Sequence, residues 1–265
     1  MTRSIGPSEA LVLERLELER PELVTMAGME ALLAETGART EPRVFAARLR
    51  DKGWLLPTGQ RGVWEFAPAA VAGPYSAHDP LMPLKAFLAR SPGSACALTF
   101  QAAAWAHGLA DRVPSRPEVA ASDAATRRRL PDALDASVFS PALLTESKRG
   151  VPTLQTESIF AHLSASPSAV RSWASAAEWL PGLSAALRQD RLVKELEPRP
   201  GAVRARAGYL LQGLRPDLAE AVQRLSLPGG KTWFGPRGKL KRHDNRWQVA
   251  DTLLPFDPRR LAAAP

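Results

Sequence analysis

The residues best placed to do chemistry in this chain are arginines. Arg39, Thr40, Arg43, Ala46, Ala47 and Arg50 fall in one short stretch, and Arg61 follows in a loop that contains Gly59 and Gly62. A guanidinium group donates in a fork that fits phosphate oxygens and the guanine edge of a base pair. Stepping about 100° per residue, Phe45 and Leu49 share one face of a helix, and Arg43, Ala46, Ala47 and Arg50 fall on the other. Two arginines framing two alanines suit a DNA major groove: the small residues let the backbone approach, and the guanidinium groups reach phosphate or base edges. The plainer alternative is a solvated face or a protein-docking face. Only Asp51, at the margin, opposes the positive charge, which favours nucleic acid.

These residues need a scaffold, and the N-terminal segment predicts a winged helix-turn-helix. Helices are expected over Ser8–Glu19, Leu23–Thr36 and Glu41–Lys52, with Gly37 making the tight turn between the second and third. Thr40 offers an N-cap hydroxyl, Glu41 a first-turn acid and Pro42 a pre-set helical φ. Trp54–Leu56 and Val63–Phe66 read as a hairpin, with residues 57–62 as the wing and Arg61 as its contact to DNA backbone or minor groove.

Catalysis has little support in the sequence. His78, His107, His162 and His243 are scattered singly, with no paired spacing that would hold a metal. His107, just before Gly108, reads as a helix C-terminal residue. Residues 228–231 lack the spacing of a phosphate loop. Gly93-Ser94 has no paired downstream aspartates of the kind that hold two metals in a nucleotidyltransferase. The single Cys96 excludes an internal disulfide and a cysteine cage, and it reads as a small buried hydrophobe. No enzyme activity, metal or cofactor is expected.

At 265 residues two domains are expected. A small-residue stretch between prolines, residues 67–74, marks a boundary, giving 1–72 as the winged helix and 73–265 as a second domain. The fold class is therefore α+β: a winged helix-turn-helix followed by a larger, mostly helical α/β domain with a few strands. Strands are expected near 96–100, 117–122 and 136–140. Helices are expected near 80–89, 101–107, 156–164, 167–179, 182–196, 201–214 and 216–226. The 35 basic against 27 acidic side chains leave +8, which favours a polyanionic partner. No apolar run is long enough for a membrane span, and the first residues lack a signal-peptide core, so a cytoplasmic location is expected. Near the C-terminus, Trp233 and Trp247 are expected to be buried, and Lys239, Lys241 and Arg242 form a basic cluster that is either a partner surface or a solvated face.

The order of three features resembles the AbiEi family of antitoxins. They are the winged helix, the Ala102–Leu109 helix with its Trp105-Ala106-His107-Gly108-Leu109 end, and the Ala207-Gly208-Tyr209-Leu210-Leu211 patch. Arg246-Trp247-Gln248-Val249 is similar to that family's closing strand. The resemblance implies a type IV toxin–antitoxin system whose toxin is a nucleotidyltransferase. It further implies that the N-terminal domain represses its own promoter at inverted repeats in double-stranded DNA, and that the second domain counters the toxin. A winged-helix protein-interaction module without specific DNA binding is the alternative.

Overall fold

The computed structural model describes residues 5–71, 79–225 and 228–261. His78 and the expected boundary after residue 72 lie outside the described residues. The chain divides into two compact units, Met1–Ser94 with Leu130–Leu134, and Ala95–Arg129 with Asp135–Pro265.

In the N-terminal unit, α1 (Pro7–Glu19) starts with the Gly6 amide donating to the Glu9 carboxylate at 2.9 Å. Strand β1 (Leu23–Thr25) follows, then α2 (Met26–Thr36) and α3 (Pro42–Asp51). Next come β2 (Leu55–Pro57), β3 (Val63–Phe66) and α4 (Met82–Arg90). The three strands form an antiparallel sheet in the order β1-β3-β2. Strand β1 thus stands between the first two helices, and the hairpin β2–β3 follows the third. Residues Leu23–Thr25 are a strand and not the first turn of the second helix. They pair with Val63–Glu65, and the Thr25 hydroxyl then caps α2 by accepting from the Gly28 amide at 3.0 Å. Val12, Leu16, Met29, Leu33, Phe45, Leu49 and Leu55 fill the core beneath. Helix α4 packs on β1 and β3, so this unit extends well past residue 72.

The second unit carries a mixed five-stranded sheet in the order β6-β5-β4-β8-β7. Its strands and the helices between them are β4 (Cys96–Leu98), α5 (Phe100–Ala106), β5 (Glu118–Ala121), α6 (Ala124–Arg129), β6 (Asp135–Val138), β7 (Glu146–Lys148) and β8 (Val151–Thr153). The hairpin β7–β8 was not foreseen. Its turn is made by Arg149 and Gly150, both at positive φ. Helices α7 (Thr156–Ala165), α8 (Trp173–Ala185), α9 (Gln189–Leu196), α10 (Gly201–Leu214) and α11 (Pro216–Gln223) follow. The break expected after residue 179 is absent, because α8 continues through Pro181 and Gly182. Every residue of α7 from Glu157 to Ser164 is buried, so this helix is the axis of the unit.

Residues 232–251 add a second small sheet, β9 (Thr232–Phe234), β10 (Arg242–Asp244) and β11 (Val249–Asp251), in the order β10-β11-β9. It docks on α10 through Gly208, where the ring of Trp247 occupies the space that a Cβ would need. At Gly213 the backbone of Pro258 and Arg259 makes an equally close approach. No helix among the described residues is long and apolar enough to cross a membrane.

Candidate functional site

The turn before α3 is built by Gly37 at φ +69, whose amide donates to Ala34, while the Ala38 amide donates to Leu33 at 3.0 Å. Helix α3 begins at Pro42 with Glu41 as its N-cap. Thr40 therefore lies one residue before the cap and does not fill the role expected of it. At the far end, the ammonium of Lys52 donates to Glu9 on α1 and ties α3 to the first helix. Burial works against ionisation of Glu9, but the Gly6 amide and Lys52 hold its carboxyl below the usual range.

Phe45, Ala46 and Leu49 face the core. Ala46 is 1% exposed, so it is withdrawn from the set of DNA-facing residues. The buried arc is wider than Phe45 and Leu49 alone define, and it takes in the residue one helical step from Phe45. Arg39, Arg43, Arg48 and Arg50 are exposed, and Thr40 and Ala47 are half-buried. Arg50 bonds Asp51 through Nε at 3.2 Å and Nη2 at 3.0 Å. An exposed pair of this kind contributes under about 1 kcal/mol and exchanges readily for phosphate.

The loop between β2 and β3, expected to be the wing, is ordered by its own hydrogen bonds. The Thr58 hydroxyl donates to the Val63 carbonyl at 2.8 Å and accepts from the Gln60 amide, and Gly59 and Gly62 take the positive φ that the turns require. The Gly62 carbonyl accepts from Met26 at the start of α2, which fixes the wing to the helical layer. Arg61 is exposed, and its carbonyl accepts from Nη1 of Arg90 at 2.7 Å. Arg90 thus brings a second guanidinium to the wing from α4, outside the segment where the sequence placed the domain.

The C-terminal basic cluster does not stand together as a partner surface. Arg242 is turned inward, donating to the carbonyls of Leu254 and Phe256 and lying 3.4 Å from Asp251. Lys241 bonds the Leu253 carbonyl at 2.9 Å, and Lys239 is exposed. Two of the three cations therefore close the tail on itself. Trp247 is buried, as expected, whereas Trp233 is half-buried beneath the ammonium of Lys231 at 4.8 Å.

Two histidines have structural settings. His107 caps α5, and its Nε2 lies 2.8 Å from the Leu154 carbonyl. His162 is wholly buried between the rings of Phe100 and Phe139, with Nδ1 2.8 Å from the Thr99 hydroxyl. Burial, aided by the charge of Arg199, lowers it to about 3, so the ring stays neutral. Burial likewise raises the Cys96 thiol to about 11, and it remains protonated. Among the described residues no group of three His, Cys, Asp or Glu side chains could hold a metal ion.

One buried carboxyl titrates in an accessible range. Burial lifts Glu118 from the ordinary 4.5 to about 7, while the Ala102 amide at the start of α5, 3.0 Å away, pulls it partly back. The folded chain keeps this proton where the unfolded chain has lost it. The contribution is therefore fully favourable below about 4.5 and is lost as pH rises to about 7. Glu118→Gln keeps an acceptor for Ala102 and removes the titration. Its melting temperature is expected to fall less than that of the parent between those two pH values. An identical fall in both proteins would remove Glu118 as the cause.

Residues 95–213 match the family model of the AbiEi antitoxin C-terminal domain. The whole chain is similar in fold to the crystal structure of the RV2827C protein from Mycobacterium tuberculosis, with a TM-score of 0.80 and 24% identity over 96% of this chain and 94% of that one. No curated protein matches the chain. The matched segment starts where the second compact unit starts, and it contains both the Trp105–Leu109 helix end and the Gly208–Leu211 patch. The segment that carries the sequence resemblance is thus also the segment that matches the AbiEi antitoxin C-terminal domain, residues 95–213.

Proposed function

We propose that this protein is an antitoxin of a toxin–antitoxin system whose N-terminal unit binds the double-stranded DNA of its own promoter and represses it. The antitoxin role rests on the domain match over residues 95–213. The DNA-binding role rests on one observation above the others: Arg43 and Arg50 are exposed on α3, and Arg61 is exposed on the loop read as the wing. In this reading α3 enters the major groove, Arg43 and Arg50 reach bases or phosphates, Arg39 contacts the backbone, and Arg61 grips from the wing. The toxin is a nucleotidyltransferase encoded in the same operon. The chain itself is not an enzyme and acts in the cytoplasm. The neutral, enclosed His162 and the hydrogen-bonded His107 support a non-catalytic chain.

A mobility shift on the protein's own upstream DNA tests the first part. Arg43→Ala is expected to weaken operator binding by about 1–3 kcal/mol if it reads a base, or to reduce the salt slope by about one unit if it grips phosphate. Arg61→Ala is expected to weaken operator and unrelated DNA about equally. Val44, 42% exposed on the same helix, favours the alternative in which α3 docks on a protein. Wild-type binding by the Arg43→Ala, Arg50→Ala double variant would decide for that alternative.

A further inference from the structure

Helix α4 carries two cations, and their surroundings differ. Lys85 is locked between carboxylates, its ammonium 2.6 Å from Glu22 and 2.8 Å from Asp79. Its side chain is 12% exposed, and its charge is spent inside the fold. Arg90, in the last turn of the same helix, is exposed, and among the described residues no carboxylate pairs with it. Its partner is a neutral group, the carbonyl of Arg61, which accepts from Nη1 at 2.7 Å. A carbonyl takes one of the five N–H donors of a guanidinium and leaves its charge whole.

That bond lands on a loop that is already held without it. The Thr58 hydroxyl donates to the Val63 carbonyl at 2.8 Å, and the Gly62 carbonyl accepts from the Met26 amide at 2.9 Å. The third tether therefore does more for Arg90 than for the loop: it fixes the guanidinium head at residue 61. Arg61 is itself exposed, and no carboxylate among the described residues pairs with it either. Two arginines that keep their full charge thus meet at one point of the surface. Like charges gathered in this way repel, and an anion placed between them relieves the repulsion.

We propose that Arg90 is a phosphate-binding residue for double-stranded DNA, gripping the backbone beside the phosphate that Arg61 takes. The inference rests on the DNA-binding reading above. It extends the contact surface from the β2–β3 loop to α4. A phosphate suits Arg90 better than a base edge. The bond to Arg61 uses part of the donor fork that bidentate base reading needs, whereas a phosphate asks for charge and a single donor.

The test follows binding of the full chain by fluorescence anisotropy at several salt concentrations. The probes are the protein's own upstream DNA and an unrelated duplex of equal length. Arg90→Met removes the charge and keeps the apolar stem of an exposed side chain, so the melting temperature is expected to stay close to that of the parent. Binding to both duplexes is expected to weaken by a similar factor, about three- to tenfold, and the salt slope to fall by about one unit. Arg90→Lys keeps the charge and is expected to keep the parent slope. In an Arg61→Ala background Arg90→Met is expected to remove a further unit, because each arginine holds its own phosphate. Parent-like affinity and slope in Arg90→Met overturn the proposal, and weakening by Arg43→Ala in the same assay then leaves the DNA-binding reading standing. No further effect of Arg90→Met in the Arg61→Ala background also overturns it and makes Arg90 a brace for the loop. Loss confined to the upstream duplex overturns the phosphate assignment in favour of base reading. A parent chain that binds neither duplex overturns the DNA-binding reading and this inference with it.

Discussion

Gly208→Ala is expected to lower the stability of the second unit by about 3–5 kcal/mol, the cost of displacing a buried tryptophan. A Cβ at this position would lie 2.1 Å from ring carbons of Trp247, and that ring is 1% exposed. Nothing in a rigid indole can yield by that much, so either the ring leaves or the small C-terminal sheet lifts from α10. Alanine is favoured over glycine in a helix by about 1 kcal/mol, which offsets only part of the loss. Urea denaturation followed by tryptophan fluorescence reads both the midpoint and the exposure of the ring. Trp247→Ala provides the matched control. Once the indole is gone, the additional Gly208→Ala change is expected to cost little, because the two residues share one contact. A Gly208→Ala protein as stable as the parent would mean that the ring does not occupy this space.

Glu195→Ala is expected to cost a similar amount, about 3–5 kcal/mol, because it breaks a buried ion pair by removing one partner. The variant leaves the guanidinium of Arg199, 16% exposed, without its carboxylate and strips the acceptor from two backbone amides and the Ser158 hydroxyl. Glu195→Gln retains one acceptor oxygen and is expected to lose less than the alanine variant. Thermal denaturation ranks the three proteins, and hydrogen exchange at Ala142 and Leu143 reports the loop between β6 and β7. Parent-like exchange at those amides in the alanine variant would show that the loop is held by something other than this carboxylate.

The parts of the fold that local chemistry dictates were legible in the sequence. Gly37 ends α2, Pro42 opens α3, and the Phe45–Leu49 spacing turns that helix inward. The wing follows from its glycines and the apolar strands on either side. What long-range pairing decides was not legible. Leu23–Thr25 is too short to show a strand alternation, and only its partner Val63–Glu65 makes it one. Ala46 is too small to declare its side by composition, and the packing of its neighbours places it. Arg242 looks in sequence like its neighbours Lys239 and Lys241, but acceptors more than ten residues further along turn it inward. The Glu195 clamp joins residues more than fifty positions apart, so no local pattern announces it. Arg90 reaches the β2–β3 loop because α4 packs on β1 and β3.

The strand order of the C-terminal sheet has a kinetic consequence. β9 and β10 do not pair with each other, and each pairs only with β11, which comes last in the sequence. During synthesis the first two strands therefore wait unpaired, and Gly208 faces no ring, until residues 247–251 arrive to fill both places. Neither strand can complete its ladder earlier, because β11 supplies the ladder bonds of both and its preceding tryptophan supplies the anchor. The same dependence runs in reverse: loss of β11 strips both neighbours of their ladder bonds and uncovers Gly208 on α10 to whatever protease or chaperone is near.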